Sequence, residues 1–364
     1  MGAELYGADV ILLEILKGLD KSLFRPIVVL PNRGPLVLEL ERNNIDYEII
    51  DYPILRRQYF NLKGIVQYAS EFCRGLKQLK IIVRKYNVDI ITSNTLAVLE
   101  GLPLSFMMKK KHVWYVHEII KEPKVMSIFY RSIIKISRTK VVCVSNAVKE
   151  NLSKNSNRLT VIHNGIEPIC TKKSKNVKND SSPIVIGMIG RINKIKGQGF
   201  LVKVIKELYR NYPNIKVMMV GGVFEGQEVL LEELKTMIIE NNLENIIEIH
   251  NFTQDVELFY KKFDIFVLPS IKPDSFPTVV LEAMSVGLPI VANVTGGVSE
   301  MVEHEENGYL IYDISEEKML KYLTKLVENP ELREKFGNRS QQIFDRRFTN
   351  RIFKERINYY YENL

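Results

Sequence analysis

Short apolar runs and longer amphipathic stretches alternate along this chain, and they do so in two blocks. In the first block the strand-like runs are 25–31 (RPIVVLP), 88–94 (VDIITSN), 112–118 (HVWYVHE), 140–146 (KVVCVSN) and 159–165 (LTVIHNG), with helical periodicity over 8–19 and 63–85. The second block repeats the rhythm with strand-like runs at 183–190, 215–222, 246–252, 263–270, 288–293 and 308–313. Strands alternating with helices predict parallel sheets. The fold class read from the pattern is therefore α/β, two doubly wound Rossmann-like domains facing a cleft. A polar stretch almost devoid of apolar residues, TKKSKNVKNDSS, makes 171–182 the expected linker. The expected domains are 1–170 and 183–344, and the helical pattern of 336–364 is long enough to return to the first domain, which its last part, from about 345, is expected to join. A doubly wound domain normally opens on a strand, whereas GAELYGADVILLEILKGL begins with a glycine-bearing loop and a helix. The first strand of the N-terminal domain is expected to be missing.

Composition narrows the class. A chain of 364 residues that is 46% hydrophobic can bury two cores. Cys73, Cys143 and Cys170 are odd in number and far apart, which indicates neither a disulfide framework nor a zinc site and fits a reducing cytoplasm. No stretch approaches the roughly 20 apolar residues of a membrane span, and the start lacks a signal-peptide pattern. The expectation is a cytoplasmic protein, peripheral at the inner face of a membrane if it meets one. Between 101 and 140 nine Lys and Arg face two Glu, a local +7 out of a net +8. The segment KVMSIFYRSIIKISRTK (124–140) mixes these cations with Ile, Phe and Met, as a helix resting on anionic lipid would. A core-facing helix with a basic back is the other reading of the same pattern. No nucleic-acid module accompanies the charge.

The chemistry-bearing stretch is PDSFPTVVLEAMSVGLPIV, 273–291. Pro277 suits a first helical position, Gly287 a left-handed cap, and Pro289 stops continuation, so a helix is expected from about Pro277 to Val286. Asp274 stands just ahead of it and Glu282 within it. The free N–H groups of Phe276, Thr278 and Val279 at such a start attract an anion, which leaves the two carboxylates to accept from neutral hydroxyls on either side. Taken alone, the acids read rather as a decorated loop and a solvated helix face. In GMIGRINKIKGQGF (187–200), Gly190 ends a strand and puts Arg191 and Lys196 on the same sheet edge, a fork and a point charge suited to a diphosphate. The stretch is neither a G-x-G-x-x-G fingerprint nor a Walker loop.

The ordered set G-R-x-x-x-x-K-G, an acid separated from Glu282 by seven residues, then PIVA and TGGVSEMV, resembles the retaining glycosyltransferases of family 4, which have the GT-B fold. GAELYGADVILLEIL, VSNAVKENL and VIHNGIEP carry the resemblance through the first block. It implies that Arg191 and Lys196 hold the diphosphate of a nucleotide-sugar donor, UDP favoured, that Glu282 binds the ribose hydroxyls, and that Asp274, where members usually carry Glu, touches the transferred sugar. Gly190, Ser275, Phe276, Pro277, Thr278 and Val279 would complete the donor site, with Asn251, usually Gly, and Phe252 near the base. His117 would approach the donor sugar and donate a hydrogen bond, and Gly2, Ala3 and Gly7 would form an opening loop near the phosphates. With no D-x-D pair in the chain, no metal and no cofactor are expected. The acceptor would be a glycan or a lipid-linked glycan, as in surface polysaccharide or glycoconjugate synthesis, bound by first-domain surfaces such as LRRQYFNLKG (55–64). Two other readings stay open: a degenerate, non-catalytic homologue acting as a partner subunit, and another enzyme on the same scaffold, an epimerase or a phosphorylase.

Overall fold

The computed structural model describes residues 7–137, 139–153, 156–169, 182–253 and 255–364. It divides into two compact units, Met1–Asn164 with Asn350–Leu364, and Gly165–Thr349. Arg138, Cys170, most of the linker, Gly2 and Ala3 lie outside the described residues.

Along the first unit run α1 (Gly7–Gly18), β1 (Ile27–Leu30), α2 (Pro35–Arg42), β2 (Asp46–Ile49), α3 (Leu62–Lys85), β3 (Ile90–Ser93), α4 (Gly101–Met108), β4 (Lys111–Val116), α5 (Lys124–Ile136), β5 (Lys140–Cys143), α6 (Asn146–Leu152) and β6 (Leu159–Val161). Hydrogen bonds join β3-β4-β5-β6 into one parallel sheet and β1-β2 into another. Val113 to Val116 of β4 are all buried, the continuous pattern of a strand covered on both faces. Among the described residues β1 ladders only with β2, and β3 only with β4. The hydropathy pattern does not mark β2, because Asp46-Tyr47-Glu48-Ile49 holds two acids and none of the four is fully buried. Gly7, expected in a loop, instead opens α1. A first helical residue has no intrahelical partner for its N–H in any case, and nothing lies within 4 Å of the position its Cβ would take.

The second unit holds β7 (Ile184–Ile189), α7 (Gln198–Asn211), β8 (Ile215–Val220), α8 (Glu228–Glu240), β9 (Ile247–His250), α9 (Glu257–Tyr260), β10 (Ile265–Leu268), α10 (Thr278–Ser285), β11 (Ile290–Asn293), β12 (Gly308–Ile311), α11 (Glu316–Glu328) and α12 (Pro330–Arg347). Among the described residues its sheet has six strands, all parallel, in the order β12-β11-β10-β7-β8-β9. Ile186, Val217, Ile265 and Val291 pack with Leu201, Ile205 and Leu323 into the main core.

The terminal helical pattern is broken where the sequence predicts one long element. After α12, Phe348 accepts from the Ile166 N–H at 3.1 Å and Thr349 bridges Ile166, so this backbone pairs sideways instead of continuing the helix. The chain then enters α13 (Asn350–Glu362), which belongs to the first unit. There the Asn358 side chain donates to Gly18 O and accepts from Asp20 N–H, both at 2.8 Å, fastening α13 to the end of α1.

Candidate functional site

Because all six strands of the second unit are parallel, the loops that leave them share one edge, and the strand order reverses between β7 and β10. In open α/β sheets ligands bind at such a reversal, outside the carboxyl ends of the strands. The loop after β7 is shaped by Asn193, whose Oδ1 accepts from the N–H groups of Ile195 at 2.9 Å and Lys196 at 3.0 Å. Gly197 then caps α7 at φ 82°, and a Cβ there would sit 2.1 Å from Pro269 O, so only glycine lets this loop meet the one after β10. The contact is sealed by Ile271 N–H donating to Ile195 O at 2.9 Å. The Thr295-Gly296-Gly297 loop after β11 closes the other side. Gly297 N–H donates to Asp274 O at 3.0 Å, and a Cβ on Gly296 would lie 2.0 Å from that oxygen.

These three clamped loops bring Lys196 and Asp274 together, the two residues being 78 positions apart in sequence. The Lys196 ammonium pairs with the Asp274 carboxylate, and the side chains are 24% and 19% exposed. The cation expected to hold a diphosphate and the acid expected to read a sugar are thus each other's partner. Arg191 lies on the same loop, half-buried, with its guanidinium carbon 4.1 Å from the centre of the Phe224 ring. Gln198 donates to its carbonyl at 2.9 Å.

The helix after Asp274 begins one residue later than expected. Pro277 is the N-cap and α10 runs from Thr278, since ψ of 109° at Pro277 is still extended. Phe276 is buried against Phe348, with ring centres 5.8 Å apart, while Ser275, Thr278 and Val279 remain half-buried at the helix start. One turn into α10, Glu282 meets Tyr260 of α9, whose hydroxyl lies 2.8 Å from Glu282 Oε2 and 3.0 Å from Val279 O. Burial pushes the Glu282 carboxyl above its ordinary range, and hydrogen bonds from the Tyr260 and Thr278 hydroxyls pull it partly back. One carboxylate oxygen is thereby fixed and the group is oriented. Gly190 ends β7 beside Lys196. Asn251 and Phe252 are exposed on the loop after β9, two strands removed from β7, with Phe252 against Gly222.

His117 stands in the first unit, one residue beyond β4. Its Nε2 lies 3.1 Å from Asn94 Oδ1, its ring packs 4.9 Å from that of Tyr115, and burial pushes its pKa down to about 3. The ring is neutral at pH 7, and since a carbonyl oxygen only accepts, Nε2 carries the proton. Nδ1 is left as an acceptor. Next to it, Glu118 accepts from Thr95 Oγ1 and from the N–H of His117 at 3.2 Å.

Sequence reasoning does not single out Tyr260, Phe224 or Asn193. Asn two residues ahead of Ile195 is a readable Asx-turn signal, whereas Tyr260 and Phe224 reach the site through tertiary packing alone. Among the described residues no group of three His, Cys, Asp or Glu side chains is placed to hold a metal ion, and no helix is long and apolar enough to cross a membrane.

Two family models match the chain: glycosyl transferases group 1 over residues 171–343 and glycosyltransferase family 4 over residues 6–168. An uncharacterised glycosyltransferase of Haemophilus influenzae is 34% identical over 184 residues, 50% of each chain, so that match spans only half the relative's length. An uncharacterised glycosyltransferase of Methanocaldococcus jannaschii is 24% identical over 92% of this chain and 95% of its own. The capsular polysaccharide biosynthesis glycosyltransferase CapM of Staphylococcus aureus is 25% identical over 60% of both chains. Among solved structures, Anabaena HepE in complex with UDP and glucose superposes with a TM-score of 0.82 at 22% identity, covering 100% of this chain and 98% of that one.

Proposed function

Since the chain belongs to the family 4 glycosyltransferases, with two matching models that together span residues 6–343 and the GT-B fold, we propose that it transfers a sugar from a nucleotide diphosphate sugar, UDP-linked, to a glycan or lipid-linked glycan acceptor. The observation that carries this reading is the Lys196–Asp274 pair at the strand-order reversal, flanked by the N-termini of α7 and α10. A diphosphate seated there displaces Asp274 from the ammonium and takes its place, with Arg191 turning from Phe224 to the second phosphate. The freed Asp274 carboxylate then accepts from hydroxyls of the transferred sugar, while Glu282, steadied by Tyr260, accepts from the ribose. UDP complexes of the structural neighbours and the polysaccharide-assembly names of relatives favour the uridine donor and a glycan acceptor.

Breaking the sugar–phosphate bond leaves negative charge on the departing diphosphate. In this proposal Arg191, Lys196 and the free N–H groups of Thr278 and Val279 stabilise that charge, which makes transfer independent of a divalent metal. In the first unit, His117 offers a neutral imidazole whose Nδ1 is an acceptor for a hydroxyl hydrogen bond. Retention of anomeric configuration follows from attack on the face the leaving group departs from, with the diphosphate itself accepting the acceptor proton.

Titration calorimetry with UDP, GDP and UDP-glucose tests the site before any acceptor is known. Micromolar UDP binding that persists in EDTA and is lost in an Arg191→Ala/Lys196→Ala double variant is the expected result. Equal affinity in the double variant would overturn it. Release of UDP on adding acceptor separates an active transferase from a subunit that binds donor without turning it over.

A further inference from the structure

Asn94 and His117 each stand one residue beyond a strand, β3 and β4, and these strands are parallel neighbours with Ser93 opposite Trp114. The loops that leave them therefore start side by side at one edge of the first unit's sheet, and they are fastened to each other there. The Glu118 carboxylate accepts from Thr95 Oγ1, from Leu96 N–H at 3.5 Å and from His117 N–H at 3.2 Å, while Trp114 Nε1 donates to Thr95 O at 2.9 Å. These bonds fix the backbone of His117. They leave open the rotation of its ring and the place of its proton. Packing against Tyr115, with ring centres 4.9 Å apart, does not settle the rotation either, because a half-turn keeps the ring plane and only puts a carbon where Nε2 stood.

Asn94 settles both. Its Nδ2 donates to Ala8 O at 3.3 Å, in the first turn of α1, and its Oδ1 lies 3.1 Å from His117 Nε2. A backbone carbonyl only accepts, so the amide must turn its NH2 group to Ala8 and its oxygen to the ring. With the amide reversed, oxygen would face oxygen. The oxygen in turn requires nitrogen at the near position of the ring and a proton on it, which leaves the lone pair on Nδ1. The dependence runs from helix to amide to imidazole: the start of α1, 86 positions from Asn94 in the sequence, decides which nitrogen of His117 can accept.

We propose that Asn94 is a positioning residue for glycosyl transfer, taking its own orientation from the first turn of α1 and holding His117 with Nδ1 open to a hydroxyl hydrogen. The assignment rests on the role proposed above for His117, but the state of the ring can be read without donor or acceptor. The test is nitrogen NMR at neutral pH on the full chain carrying isotope-labelled histidine, with the His117 signals identified by their absence from a His117→Gln sample. In the wild type Nε2 is expected to carry a bonded proton and Nδ1 to resonate as an unprotonated nitrogen. In Asn94→Leu, which can neither accept from the ring nor donate to Ala8, the tautomer ratio should shift toward Nδ1–H by about fivefold, the weight of one hydrogen bond. Asn94→Asp keeps an acceptor at Nε2, so it should restore the wild-type tautomer and raise the pH at which the ring becomes doubly protonated. A proton on Nδ1 in the wild type, or a tautomer ratio unchanged in Asn94→Leu, would overturn the proposal. If the leucine variant does not fold, the aspartate variant decides: a ring whose protonation it leaves unmoved is not held by Asn94. UDP affinity measured by calorimetry on the same samples should match the wild type in both variants. Absence of UDP binding by the wild type, with the ring nitrogens as expected, would sink the donor reading and leave the hold of Asn94 on the ring standing.

Discussion

Replacing Asp274 by Asn should tighten nucleoside diphosphate binding, although Asp274 lies in the donor site. In the free protein the Asp274 carboxylate holds Lys196, and a diphosphate must break that pair before it can use the ammonium. Exposed ion pairs contribute about 0–1 kcal/mol, while stripping one partner from a buried pair costs about 3–5 kcal/mol. With 24% and 19% exposure the pair falls between, at about 1–2 kcal/mol, which corresponds to about 5- to 30-fold in Kd for UDP. UDP-glucose should not share the gain, because its sugar loses the carboxylate it would otherwise bond. Calorimetry on a double-mutant cycle with Lys196→Met isolates the competition: in the methionine background Asp274→Asn retains only the relief of direct repulsion, so the gain should shrink sharply. An equal gain in both backgrounds, or weaker UDP binding by the Asp274→Asn variant, would refute the competition argument.

Tyr260→Phe should lower UDP affinity about fivefold through the loss of one charge-assisted hydrogen bond, and it should narrow the preference for UDP over its 2′-deoxy analogue, because Glu282 is no longer held. Comparing the two ligands by calorimetry reads this directly. Gly296→Ala should abolish measurable UDP binding while the protein stays folded by circular dichroism, since a Cβ 2.0 Å from Asp274 O must push the loop after β10 away. Glu100 is wholly buried, and burial pushes its pKa up to about 7 against the opposing pull of the Glu100 and Leu99 backbone N–H groups. The unfolded chain gives up that proton near pH 4.5 and the native chain only near 7, so stability falls as pH rises between these values and is flat above them. The loss is about 3 kcal/mol. Glu100→Gln should flatten this part of the melting temperature against pH profile, and an unchanged slope would exonerate the residue.

Much of the second unit was legible because buried parallel strands announce themselves as unbroken apolar runs, and because Gly287, at φ 72°, does what glycine before Leu-Pro suggests. Arg191, Lys196, Asp274 and Glu282 stand out in the sequence because each lies near a strand end or a helix start, and their roles come from the family resemblance alone. Two kinds of feature were not legible. Half-exposed β2 carries acids where an apolar period was sought, so hydropathy passed over it. The pairing of Lys196 with Asp274 and the support of Glu282 by Tyr260 depend on strand order, which brings together residues far apart in the chain. The break at Phe348 had the same origin: helical propensity continues through it, and only the backbone bond to Ile166 shows why the helix does not.

The division of the first unit's strands into two ladders bears on how the molecule breathes. Leu13, Leu16, Val28, Leu30, Leu36 and Leu40 form a small cluster of their own around β1 and β2. Amides of β1 and β2 should therefore exchange with heavy water through partial opening, well before those of β4 and β5, whose protection should follow global unfolding.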